Sequence, residues 1–125
     1  MTETATEYVQ PKFQLHLFSA EISDEQILYQ VLKMEDSLMI IINHKYSRCF
    51  NDLSMAINSP YDSIPAGTRI IGDFRDETSK AMATRLSDKL GKAVYVSYNV
   101  DCDKPIVPLI ERQLFQEIKD RPEKF

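Results

Sequence analysis

Leu38, Met39, Ile40, Ile41 and Ile42 form an unbroken apolar run. Its length suits a strand and falls far short of the roughly 20 residues that cross a bilayer. Successive side chains of a strand point to opposite faces, so this run is apolar on both sides. Ile27-Leu28-Tyr29 and Val94-Tyr95-Val96 repeat the pattern. A strand with one face in water alternates apolar with polar residues instead. These strands therefore ask for cover on both faces, and the rest of the chain decides whether it can supply it.

Phe13 to Ile22 and Gln26 to Met34 read as strands joined by a turn at Ser23-Asp24-Glu25. Glu35-Asp36 turns the chain into Ser37 to Asn43, which completes an antiparallel meander. Past a polar stretch from His44 to Asn51, Leu53, Met55 and Ile57 alternate with Asp52, Ser54 and Ala56 as a fourth strand. Pro60 and Pro65 exclude helix and central strand between Asn58 and Gly67, and Thr68 to Ile71 forms a short fifth strand. Met82, Leu86 and Leu90, spaced by four with Ala83 at the margin, predict a helix capped by Asp73 or Asp76 and stopped by Gly91. Lys92 to Tyr98 is a sixth strand. Asp103 is placed to cap a last helix, which carries Ile106, Val107, Ile110, Leu114 and Ile118 on one side and admits Pro108 only in its first turn. The expected fold is α+β: a single domain over residues 12–125, with an antiparallel sheet of about six strands and two helices on one face. A flexible polar tail over residues 1–11 precedes it.

Counting faces sharpens the point. Six strands make a sheet roughly 25–30 Å wide. Two helices, each about 10 Å across, cover most of one face and leave nothing for the other. Either the sheet closes on itself as a sandwich or partial barrel, or another protein chain buries its second face. The second arrangement predicts an interface of roughly 800 Å² or more per partner. Leu109 and Phe115 also fall off the stripe of the last helix and are expected at its surface.

Composition narrows the classes of function. With 125 residues, 43% of them hydrophobic, the chain can hold a core without disulfides or a metal. A net charge of −4 is a poor basis for binding nucleic acid, which calls for a basic stripe. Cys49 and Cys102 stand far apart, form no CxxC and read as free thiols in a reducing compartment. The first residues carry neither a basic region nor an apolar segment of the secretory kind. The expected location is therefore the cytoplasm, or also the nucleus.

Catalytic signatures are sparse. Gly67, Gly72 and Gly91 make neither GxGxxG nor a phosphate-binding loop, and no GxSxG occurs. His16 shares a strand face with Phe18, Ala20 and Ile22, which suits a hydrogen-bonded core histidine better than a catalytic one; an acid–base pair of His16 with Asp62 is the enzymatic alternative. His44 reads as a surface residue and Cys49 as a structural thiol. Asp101 and Asp103 offer too few oxygens for calcium. No catalytic residue, metal or cofactor is expected. In the string Tyr61-Asp62-Ser63-Ile64-Pro65, Asp62 and Ser63 favour a side-chain-stabilised turn and Pro65 fixes its exit. The string is either a rigid connection or a contact loop with Tyr61 and Ile64 as anchors.

At this string the chain resembles a known family. Tyr61 to Pro65, Ile71-Gly72-Asp73, Val96-Ser97-Tyr98-Asn99 and Pro122-Glu123-Lys124-Phe125 are similar in order and spacing to the proteasome assembly chaperone four family. Leu15-His16, Phe18-Ser19-Ala20 and Asp36-Ser37-Leu38 fit it too. The polar tail before Phe13 and the paired Pro105 and Pro108 depart from it. The resemblance implies a non-enzymatic chaperone that forms a heterodimer with a related small chaperone, assembly chaperone three. The pair binds α-subunits of the 20S proteasome, notably α5, and promotes correct α-ring assembly. Tyr61, Asp62, Ser63, Ile64, Tyr98, Asn99 and Phe125 are the candidate partner contacts, with Asn99 alternatively shaping the turn after the sixth strand and Phe125 alternatively packing back on the core. The apolar strand faces also allow the isolated chain to form a homodimer.

Overall fold

A computed structural model describes residues 6–100 and 105–125. The cap expected at Asp103, the neighbouring Asp101 and the thiol of Cys102 lie outside the described residues. Strands β1 (Gln14–Ile22), β2 (Glu25–Lys33) and β3 (Ser37–His44) form the expected meander. The β1–β2 turn places Ser23 and Asp24 at φ 50° and 64°, the left-handed pair of a tight hairpin whose twist matches its strands. β4 (Leu53–Ile57) and β5 (Ala66–Ile71) form a hairpin, α1 (Thr78–Leu90) follows, and β6 (Ala93–Tyr98) leads to α2 (Val107–Asp120) and a 3-10 turn at Pro122–Lys124. The sheet order is β1-β2-β3-β6-β4-β5.

The antiparallel expectation is corrected at one pair: β3 and β6 run parallel, so the sheet is mixed. Helix α1 is the cause. It returns the chain from the end of β5 to the far end of the sheet, so β6 enters parallel to β5 and antiparallel to β4. It fills the gap between β3 and β4 and thereby aligns with β3. Val94-Tyr95-Val96, apolar on both faces, is thus an interior strand.

Both helices lie on one face. Met82, Ala83 and Leu86 of α1 and Ile110, Leu114 and Ile118 of α2 pack over Ile27, Tyr29, Val31, Leu38, Ile40, Ile42, Val94 and Val96. Gly91 ends α1 in the left-handed conformation at φ 69°, its N–H donating to Ser87 O at 2.8 Å. Neither residue expected to cap α1 holds the N-cap, which is Glu77 with no side-chain cap bond; Asp76, one residue earlier, accepts from Thr78 N–H at 3.0 Å, and Asp73 closes the preceding turn on Arg75 N–H at 2.9 Å. Phe115 is half-buried beneath Lys89, whose ammonium stands 5.2 Å from the ring, and Leu109 is exposed.

A buried polar chain fixes α1 to the sheet. Tyr98 N–H donates to Ser79 Oγ at 3.1 Å, and the Ser79 hydroxyl bonds the carboxylate of Asp52. Burial raises the Asp52 pKa, and the charge of Asp76 adds to it, against the opposing pull of Ser79 and Arg69. A carboxyl that holds its proton more tightly when folded favours the fold below its unfolded value. That contribution is lost as pH rises through the folded value. At neutral pH the buried charge is a net cost. Asp52→Asn, which keeps an acceptor for Ser79, is expected to raise the midpoint of thermal unfolding at pH 7 by an amount worth about 1 kcal/mol or less. The gain should shrink toward pH 4, and paired melts at the two pH values check it.

Candidate protein-interaction site

The strand register defines the second face residue by residue. Pairings Leu15↔Leu32, Leu32↔Met39, Met39↔Tyr95, Tyr95↔Met55 and Met55↔Thr68 align one row of side chains across the whole sheet. Every member but Thr68, on the edge strand, is apolar or aromatic. The adjacent row runs Leu17, Gln30, Ile41 and Ser97. These residues alternate with the core-facing set, so they point away from both helices. Leu15 and Leu17 are 64% and 53% exposed, and Leu32, Met39, Ile41, Tyr95 and Met55 are half-buried only by their neighbours in the sheet. Ile57 and Ile71 extend the apolar surface at the other edge, each 44% exposed. Among the described residues no element covers the middle of this face, so the sheet does not close into a sandwich. Contiguous apolar surface of this kind on a small domain marks an interaction site.

One end of the face is closed by the chain itself. Since β6 lies between β3 and β4, the segment 45–52 crosses over the end of β6. Polar groups hold it there. Asn43 Oδ1 accepts from Cys49 N–H at 3.0 Å. Asn99 Oδ1 accepts from Asn51 N–H at 2.9 Å, while Asn99 Nδ2 donates to Ser97 Oγ at 2.9 Å and Asn99 N–H to Ile42 O at 2.9 Å. Asn99 is the hub of the crossover. Asn99→Ala is expected to cost about 2 kcal/mol, more than a surface substitution, because it strands Asn51 N–H and releases the segment. Chemical denaturation checks the value.

The residues singled out in the sequence divide by burial. Tyr61, Asp62, Ser63 and Ile64 sit together at the tip of the β4–β5 loop, all exposed, with Tyr61 at 93% and Ile64 at 69%. Below the tip, Pro65 is buried and Asn58 Nδ2 donates to Ser87 O at 3.1 Å, which ties the loop to α1. Tyr98 is corrected as a surface contact, and Phe125 takes the alternative expected for it of packing back on the core: they are 2% and 3% exposed. Tyr98 shares the face of Val94 and Val96. The turn at Pro122–Lys124 carries Phe125 back beside His16, ring centroids 6.2 Å apart and nearly perpendicular, and the Lys92 ammonium holds its main-chain oxygen. Asn99 serves the crossover, the second of its two expected roles. The apolar row itself was demanded by the face count but not named in the sequence. The alternation of Leu15 and Leu17 against His16 and Phe18 was the signal for its edge.

The enzymatic alternative finds no geometry. His16 Nε2 meets Glu117 Oε1 at 3.2 Å and stacks on Phe18 at 5.3 Å, whereas Asp62 belongs to the loop beyond the opposite edge of the sheet. A groove of about 400 Å³ between α2 and the β1–β2 turn is lined by residues such as Leu109, Arg112 and Gln116 and contains neither His16 nor Asp62. Among the described residues no cluster of three or more histidine, cysteine or acidic side chains could hold a metal ion.

Comparison with known proteins agrees with the architecture. A solved structure described as "Crystal Structure of a Novel Chaperone Complex for Yeast 20S Proteasome Assembly" contains a chain that superposes with a TM-score of 0.64 at 15% identity, covering 90% of this chain and 97% of that one. At that identity the likeness establishes the fold. Sequence similarity goes further. The chain is 37% identical over 112 residues to Proteasome assembly chaperone 4 of Homo sapiens, covering 89% of each chain. It is 36% identical to the Mus musculus protein of that name over the same length and shares. The family model Proteasome assembly chaperone 4 matches residues 26–100. On sequence and fold together, the chain belongs to the proteasome assembly chaperone 4 family.

Proposed function

We propose that this proteasome assembly chaperone works without catalysis, as one half of a pair. It joins a related small chaperone, assembly chaperone three, through the open face of its sheet, and the pair binds proteasome α-subunits, α5 foremost, to promote the correct order of the α-ring. The observation that carries this reading is the apolar row from Leu15 to Met55, which no element among the described residues covers. Both helices are engaged on the opposite face, and a second sheet of similar size matches the row in shape. The exposed tip from Tyr61 to Ile64, braced from below, is the proposed contact with an α-subunit. A chaperone of order must bind the correct intermediate more tightly than the wrong one, and must leave when a later subunit overlaps its site. The proposed setting is the cytoplasm, and also the nucleus. Cys49 is a free thiol there, and among the described residues no helix is long and apolar enough to cross a membrane.

The test is a tagged pull-down from source-cell lysate, read by mass spectrometry, with light scattering on the eluate. Recovery of a second small chaperone with α-subunits, and without mature β-subunits, is the expected result. A stable monomer accompanied by neither overturns the reading. A different set of partners points to an adaptor on the same fold.

A further inference from the structure

Gln30 interrupts the open face. The register sets it between Leu17 on β1 and Ile41 on β3, and the period of the strand puts Leu28 and Leu32 on either side along β2. An amide therefore stands within a ring of four apolar side chains. It is half-buried, and among the described residues its side chain makes no hydrogen bond. Of the other polar groups of this face, Ser97 and Asn43 are bonded into the crossover, Ser19, Glu21 and Thr68 lie on the edge strands, and Gln26 and Ser37 stand at strand ends, outside this apolar ring. In the isolated chain water serves the Gln30 amide. Once a second sheet covers the row that water is expelled, and an amide left without a partner weakens the complex.

We propose that Gln30 is the specificity determinant of this face: the partner presents an uncharged amide opposite it, and a sheet with only apolar side chains at that place is rejected. An amide is the fitting chemistry because Gln30 offers a carbonyl acceptor and an NH₂ donor, and another amide returns both bonds at once. A single buried polar pair in an otherwise apolar contact selects among partners at some expense in affinity, as buried asparagines do in coiled coils. This inference rests on the proposed role of the open face as the pairing surface.

Gln30→Leu tests it, because leucine fills similar space without polar atoms and the alternatives predict opposite signs. The variant and the parent are titrated calorimetrically against assembly chaperone three, with a thermal melt of each isolated chain. The expected result is an affinity for the partner at least about tenfold weaker, since the partner's amide is left unpaired, with the melt of the isolated chain unchanged or raised. Unchanged or tighter binding overturns the inference, since a purely apolar contact gains from leucine. Met39→Glu in the same series separates the two levels. If it abolishes pairing while Gln30→Leu does not weaken it, the inference alone fails. If neither variant weakens pairing, the open face is not the interface and both fail.

Discussion

Met39→Glu is expected to abolish pairing with the proposed partner chaperone and to leave the isolated chain folded. Met39 lies mid-sheet in the apolar row, between Leu32 on β2 and Tyr95 on β6, and faces away from the helices. In the lone chain this position is half-buried and open to water above. A carboxylate there stays hydrated, and its effect on the fold is that of a surface strand substitution, about 1 kcal/mol or less. Under a second sheet the same carboxylate loses its water, and among the described residues none of its cross-strand neighbours in the row is a cation. A buried unpaired charge costs about 3–5 kcal/mol, which weakens binding by more than about 100-fold. Ile40→Glu, one residue along the same strand, is the contrast. Ile40 is fully buried between the sheet and the helices, and a charge there should prevent folding altogether. Titration calorimetry on the first variant and circular dichroism on both read the two outcomes. Retained affinity in a folded Met39→Glu chain removes the open face as the pairing surface.

That contrast rests on strand periodicity, which is the part of this molecule most legible in its sequence. The run from Leu38 to Ile42 splits into a core set, Leu38, Ile40 and Ile42, and an outward set, Met39 and Ile41, as its lack of any polar face required. Gly91 stops α1 and the four-residue spacing of Met82 and Leu86 gives its buried stripe. Partnership of β3 with β6 was not legible, because it joins segments more than 50 residues apart through a crossover whose direction is set by α1. Within the site, motif resemblance and face position gave different answers. Resemblance grouped Tyr98 with Asn99 as contacts, whereas counting along β6 puts Tyr98 with Val94 and Val96 in the core. Phe125 has no period to read, and its burial depends on the turn at Pro122–Lys124. The exposed tip from Tyr61 to Ile64 was legible because two prolines and a polar turn leave a loop no other place than the surface. Gln30 was passed over since one polar residue in a strand is unremarkable until its cross-strand neighbours are known.

Tyr29→Ala is expected to be the most damaging truncation within the helix-facing layer. Tyr29 is fully buried and, among the described residues, is the largest side chain wholly removed from water. Its ring lies flat against Phe18, centroids 4.5 Å apart and planes within 5° of parallel. Its hydroxyl donates to Ile110 O at 2.9 Å, tying β2 to α2. Burial, with the neighbouring Tyr98 adding to it, holds that hydroxyl protonated well above the usual tyrosine range, so it remains a donor at neutral pH. Removing ring and hydroxyl together leaves a cavity between β1, β2 and α2 and should cost about 4–5 kcal/mol, a large share of the stability of a small domain. Tyr29→Phe keeps the ring and the stack and loses only the tie to Ile110, whose carbonyl still has its place in the helix, so about 1 kcal/mol is expected. Urea denaturation of the two variants separates the contributions. A Phe variant as unstable as the Ala variant would place the main attachment of α2 in the hydroxyl, whereas the expected gap of several kcal/mol places it in the packed ring that joins the edge strand, its neighbour and the helix above them.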